Sequence, residues 1–123
     1  WCGVIQPQEA LVCAEDGYDW ILCKDILEHI PYDMIDLQLK VLYNGGKRVM
    51  AMIPLGDGEK YIIDSYELDK SHFIRESLHW WHEKFEEAGF DVDMSTYDMG
   101  PFKKNWQFEP EGNMIIMATN NDR

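Results

Sequence analysis

Positive charge is scarce in this 123-residue sequence: 11 Lys and Arg stand against 23 Asp and Glu, a formal net charge of -12. Such a surface repels a phosphate backbone, no local cluster of Lys or Arg offsets it, and no nucleic-acid partner is expected. Cysteine is nearly absent too. Cys2, Cys13 and Cys23 form no C-x-x-C and cannot all pair with one another, so no disulfide framework is expected and the cytoplasm is the default compartment. No stretch approaches the roughly 18 continuous apolar residues of a membrane span, and no charged, apolar, small-residue signal pattern opens the chain. There are no internal repeats and no low-complexity tract. Between Trp1 and Asp19 there is no G-x-G. The later Gly56-Asp57-Gly58 follows an apolar strand pattern and Pro54-Leu55, opens no apolar-periodic helix, and reads as a turn.

What is present is apolar and ordered. Asp19-Trp20-Ile21-Leu22-Cys23 and Val49-Met50-Ala51-Met52-Ile53 are continuous apolar runs without alternation, the pattern of parallel strands covered on both faces. Between them Ile35, Leu39 and Leu42 recur at helical spacing, Asp33 or nearby Tyr32 marks the entrance, and Gly45-Gly46 ends the helix. Strand, helix and strand in that order make a crossover unit of an α/β fold. The composition, 46% hydrophobic, supplies enough apolar surface for the core of one domain of this length.

Further along, Tyr61-Ile62-Ile63 suggests a short hairpin. Leu78, Trp81, Phe85 and Ala88 form an apolar stripe on a helix ended by Gly89, the residue suited to the left-handed position past a helix C-terminus. Phe90, Val92, Met94 and Thr96 alternate with acidic and polar residues, predicting a strand with one wet face, whereas Met114-Ile115-Ile116-Met117-Ala118 is apolar throughout and fits between two neighbours. A reversed final strand is expected. Residues 98–112, rich in Gly, Pro and aromatics, are a loop placed to shape one side of a cleft. Residues 1–17 hold short apolar runs at Val4-Ile5 and Ala10-Leu11-Val12-Cys13, read as a strand remnant, a turn and another short strand.

Three segments carry a more specific signal. Tyr18-Asp19-Trp20-Ile21-Leu22, Asp25-Ile26-Leu27-Glu28-His29-Ile30-Pro31 and Leu42-Tyr43-Asn44-Gly45-Gly46 stand at the spacing of strands four and five of class I S-adenosylmethionine-dependent methyltransferases of the type 11/12 kind, and the sequence resembles that family. Asp69-Lys70-Ser71-His72 is similar to the D-x-T-H element of many small-molecule methyltransferases, and Trp81, Phe85, Glu86 and Ala88-Gly89-Phe90 to their W and aGF pattern. The resemblance is strongest over residues 18–97. It implies a Rossmann-like methyltransferase sheet in part, strands four to seven with the last one antiparallel, in a single domain that opens about halfway through the family's own. Residues 1–17 are then an uncertain lead-in and 98–123 a loop and final strand. The family's glycine-rich cofactor loop has no counterpart here.

The resemblance also implies a chemistry. S-adenosylmethionine is the expected cofactor and a small molecule the expected acceptor. Cys23, Lys24 and Asp25, just after strand four, inherit contact with the methionine part of the cofactor; Leu11–Asp16, taken as the segment after strand three, would bring Glu15 or Asp16 near its adenine, the alternative being a polar loop. His29 and His72 are the candidate general bases, since an imidazole can take a proton from an acceptor hydroxyl as the methyl group moves, with Asp69 placed to orient His72. The plainer reading is that Glu28 and His29 hydrogen-bond a loop or cap the next helix. His79 and His82, or His79 and Glu83, share a helix face, but Trp80 and Trp81 between them mark a packed aromatic stripe and no metal is expected there. Cys23 reads as a small buried side chain rather than a nucleophile.

Two functions from different classes follow. The chain is part of a methyltransferase acting on a small molecule, inactive alone for want of the cofactor loop, or it is a non-catalytic module whose surface binds a partner. In either case the strand at Trp20 to Cys23 is expected to be an apolar sheet edge, to be covered by residues 1–17, by self-association or by a partner chain.

Overall fold

The computed structural model describes residues 2–4 as backbone and residues 17–101, 103 and 108–122 in full. Five strands form one sheet in the order β1-β2-β3-β5-β4, where β1 is Cys2–Val4, β2 Tyr18–Lys24, β3 Gly46–Pro54, β4 Asp91–Thr96 and β5 Asn113–Thr119. β1, β2 and β3 run parallel; β5 inserts antiparallel between β3 and β4. The expected reversed final strand is therefore present. Asp16 and the apolar run at residues 10–13 lie outside the described residues.

Helix α1, Ile35–Gly45, runs straight into β3 without a loop, and α2, Leu78–Ala88, leads through Gly89 to β4. Both helices pack on one face of the sheet and on each other. Ile35, Leu39 and Leu42 of α1 and Leu78, Trp81, Phe85 and Ala88 of α2 meet Ile21, Cys23, Val49, Ala51, Ile53, Met114, Ile116 and Ala118 in one core. Ser77 Oγ accepts the Trp80 amide to start α2, and Gly89 ends it at φ 114°, a conformation that an L side chain adopts only with strain.

The strand at Trp20 to Cys23 is covered from within residues 1–17, one of the ways expected: Cys2, Gly3 and Val4 pair with Trp20, Ile21 and Leu22, so the edge passes to a strand three residues long. Four expectations change. The parallel strands are not covered on both sides. Along β2, Ile21 and Cys23 are buried whereas Trp20 and Leu22 are half-exposed, and across the sheet Leu22, Met50, Met117 and Met94 form an adjoining row on the face away from the helices. Among the described residues that face is closed only toward one end, where Met99 packs on Met52 and Ile115. The hairpin at Tyr61-Ile62-Ile63 is reduced to a single bridge, Gly56 to Tyr61, followed by a 3-10 helix at Asp64–Leu68. In β4 a bulge between Val92 and Met94 breaks the alternation and turns Met94 outward. Helix α1 begins at Met34 with no side-chain cap, so neither Tyr32 nor Asp33 starts it.

Candidate functional site

At the carboxyl end of β2 the chain turns sharply. Asp25 has φ 55°, a left-handed conformation uncommon outside Gly and found most readily in Asn and Asp, and its amide donates to the Met52 carbonyl at 3.0 Å. The turn reverses the chain into the 3-10 helix Leu27–His29. Ile26, Leu27 and Ile30 are buried under it and anchor it to the core. Because apolar side chains before and after point inward, Glu28 is carried inward with them and has no exposed surface.

The main chain then ties this turn to a segment more than forty residues away. The Glu28 carbonyl accepts the amides of Phe73 (2.8 Å) and Ile74 (3.1 Å), and the Ile74 carbonyl accepts the hydroxyl of buried Tyr61. Residues 56–77 are held in turn by Gly56, whose amide donates to the Glu76 carbonyl, and by Arg75, which bonds Glu67 at 2.7 Å. Gly56-Asp57-Gly58 is the turn its sequence indicates: the Asp57 carboxylate accepts the amides of Glu59 and Lys60, and Gly58 has φ 101°.

This tie brings His29 and His72 together, ring centroids 4.6 Å apart. Their tautomers follow from their partners. The Ser71 hydroxyl donates to Asp69 at 2.5 Å, so its oxygen, 3.0 Å from His29 Nδ1, accepts from the ring, as does the Ser71 carbonyl at 3.2 Å. The Tyr66 carbonyl, 2.9 Å from His72 Nδ1, likewise accepts. In their neutral form both imidazoles carry hydrogen on Nδ1 and present an Nε2 lone pair. Those lone pairs face carboxylates: Glu28 Oε2 lies 3.7 Å from His29 Nε2 and 4.0 Å from His72 Nε2, and Asp69 Oδ2 lies 3.4 Å from His72 Nε2.

Neither carboxylate oxygen of Glu28 has a hydrogen-bond partner among the described residues. Burial is the main cause that pushes its carboxyl up to about 8; its own backbone amide opposes this most, the nearby Asp25 and Asp69 carboxylates add to it and the Lys103 ammonium opposes it. Asp69 is held below the ordinary carboxylate range, chiefly by the Ser71 hydroxyl. The Glu28 side chain therefore caps no helix and hydrogen-bonds no other described residue, whereas His29 bonds the loop at Ser71.

The expected site residues separate into two groups. His29 and His72 meet, with Asp69 on Nε2 of His72 rather than behind it. Cys23 lies in the helix-covered core, 2% exposed, its thiol pushed up to about 12 by burial and next by Glu28. It is no nucleophile at neutral pH. Lys24 is exposed and pairs with Asp25 at 3.6 Å, and the Asp25 carboxylate is taken at 2.6 Å by Lys103, which also donates to Asn113. The missed residue is Glu28. An acid between Leu27 and Ile30 was its only signal in the sequence, and its burial depends on residues 72–74.

The resemblance read from the sequence makes the carboxyl ends of β1 and β2 the expected place of a sulfonium cofactor. There the Cys23 side chain faces the core, the amide of Asp25 donates to the Met52 carbonyl and its carboxylate accepts from Lys103. On the helix side, His79 is exposed and His82 Nε2 pairs with Glu86 at 3.3 Å, so the two do not form a joint site.

No protein-family model matches the sequence, and a comparison with curated proteins gives no match. Solved structures are similar in fold. A S-adenosylmethionine-dependent methyltransferase from Archaeoglobus fulgidus superposes with a TM-score of 0.66 at 12% identity over 92% of this chain and 64% of its own. The complex between the Haloferax volcanii Trm112 methyltransferase activator and a methyltransferase gives 0.68 at 12% over 89% and 57%. The magnesium protoporphyrin IX methyltransferase of Synechocystis PCC 6803, with bound S-adenosylhomocysteine, gives 0.61 at 12% over 93% and 49%. The chain has the class I methyltransferase fold in part, spanning less than two thirds of the length of these structures.

Proposed function

We propose that the chain is part of a S-adenosylmethionine-dependent methyltransferase acting on a small-molecule acceptor, and that it does not turn over alone. The observation that carries this reading is the sheet itself: the order β1-β2-β3-β5-β4 with a reversed β5, helices on one face and a bare apolar row on the other. The open face supports an incomplete domain, and the pairing of the Asp25 amide with Met52 and of its carboxylate with Lys103 supports the lack of turnover. The net charge of -12 favours a small acceptor over a polyanion.

In this reading Glu28, His29 and His72 form the polar floor on the acceptor side. S-adenosylmethionine, when bound by the completed protein, supplies an activated methyl group. The task left to these residues is to take the proton from the acceptor's nucleophile, and the atoms able to do so are the two Nε2 lone pairs. His29, with 31% of its side chain exposed against 10% for His72, is the nearer to solvent. Calorimetric titration of the folded chain with S-adenosylhomocysteine, together with an assay of methyl release from the cofactor, tests the proposal. The expected result is no saturable binding and no turnover by the chain alone. Saturable binding with turnover would overturn its dependence on further sequence.

A non-catalytic, partner-binding module is the second reading, favoured by the same apolar face: Trp20, Ile21, Leu22 and Met50 line a shallow cavity of about 330 Å³ there. Mass in solution against concentration reads this directly. Self-association lost on substitution of Met50 by Lys supports it.

A further inference from the structure

We infer that Glu28, His29 and His72 bind one divalent first-row transition ion, with zinc as the representative. One donor atom from each lies within 4.8 Å of the other two. Three independent features of the geometry point at the same spot. Both imidazoles are fixed from behind, Nδ1 to the carbonyls of Ser71 and Tyr66, which is how metal-binding histidines are usually oriented by their surroundings. The lone pairs thus released converge on Glu28 rather than on any donor. The Glu28 side chain, 1% exposed, has neither oxygen hydrogen-bonded and is aimed into the gap between the rings.

The acid form of Glu28 can share one proton with one of the two lone pairs, whereas a divalent ion engages both lone pairs and the carboxylate at once. No Lys or Arg donates to Glu28 among the described residues; Lys103, the nearest such charge acting on it, is spent on Asp25 and Asn113. Two imidazoles and a carboxylate suit zinc and its neighbours in the first row rather than magnesium or calcium, which take oxygen cages. Donors about 2.0–2.2 Å from a tetrahedral zinc stand roughly 3.3–3.5 Å from one another, so the 3.7 and 4.0 Å gaps to Glu28 need to close by well under an ångström, and the widest separation in the trio, up to 4.8 Å, by roughly one more. Asp69 Oδ2, 3.4 Å from His72 Nε2 and half exposed, borders the trio at the solvent side. An ion here would clamp the Leu27–His29 turn to the segment carrying His72.

The inference goes beyond the proposed methyl transfer and uses the same lone pairs, so its test omits cofactor and acceptor. The whole chain, stripped with a chelator, is titrated with zinc chloride by calorimetry, and its thermal unfolding is followed with and without zinc. Expected are one zinc per chain and a raised unfolding midpoint. In Glu28→Gln and His29→Asn, folded by circular dichroism, affinity falls by about a hundredfold or more, while His79→Gln binds as the parent does. Absence of saturable binding by the folded parent overturns the inference, as does binding undiminished in both Glu28→Gln and His29→Asn; if one of these fails to fold, the other decides. Neither result bears on the S-adenosylhomocysteine titration, which judges the methyl-transfer reading separately.

Discussion

The two faces of the sheet are built from the same strands and the same kinds of residue, yet they do different work. On one, Ile21, Val49, Ala51, Ile116 and Ala118 are small or β-branched and disappear under α1 and α2. On the other, Trp20, Leu22, Met50 and Met117 are larger, more flexible and only half covered. β-branched residues pack rigidly against a helix that is always present, whereas methionine accommodates a neighbour of variable shape. Apolar content alone therefore does not identify the core; the shape of the apolar side chains and what lies above them do.

Substitutions on the two faces should differ most at their centres. Trp81, fully buried in α2 between the sheet and α1, anchors the covered face. Trp81→Ala should cost about 3–5 kcal/mol in urea unfolding, a large share of the stability of a domain of this size. A smaller effect is expected at Gly56, which belongs to neither face but holds the segment bearing His72. A Cβ there would meet the carbonyl oxygens of Lys60 and Arg75 at 2.5 and 2.7 Å, and backbone cannot swing aside as a side chain can. Gly56→Ala should cost about 1–3 kcal/mol, and hydrogen exchange should show the loss concentrated in residues 56–77.

On the open face the comparison predicts tolerance. Met50→Lys should change stability by less than about 1 kcal/mol, because the added ammonium reaches solvent, and should reduce binding of a hydrophobic dye. A loss as large as that at Trp81 would mean that this face is packed after all. The smallest expected effect is chemical. In a Cys2→Ser, Cys13→Ser background, Cys23 should resist alkylation at pH 8, since a thiol pushed up to about 12 is almost wholly protonated there. Raising the pH toward that value increases the thiolate fraction, but labelling should still wait for local or global opening; prompt reaction at pH 8 would place Cys23 on an accessible surface.

Much of this arrangement could be read from the residues. Continuous apolar runs marked β2, β3 and β5, and Gly89 marked the end of α2, because those signals are local: a side chain's neighbours along the chain decide them. The meeting of His29 and His72 was prepared by their motifs, although only the pairing of the Glu28 carbonyl with Phe73 and Ile74 makes it a site. Burial of Glu28 was illegible for the same reason, since the segment that covers it lies some forty-five residues on. The open face was misread because an unalternating run looks the same whether one side is covered or two. Met94 was misread because a bulge shifts the register of every residue after it without a mark in the sequence.

The position of β5 sets the order of events in folding. It is the last strand in the chain and yet lies between β3 and β4, with Arg48 opposite Thr119. β3 cannot gain its second neighbour until residue 119 has left the ribosome, so the sheet closes after synthesis of these residues rather than during it. Such long-range pairing slows folding relative to a chain of the same length built on local contacts. Until it forms, β3 exposes an apolar edge to any other chain nearby.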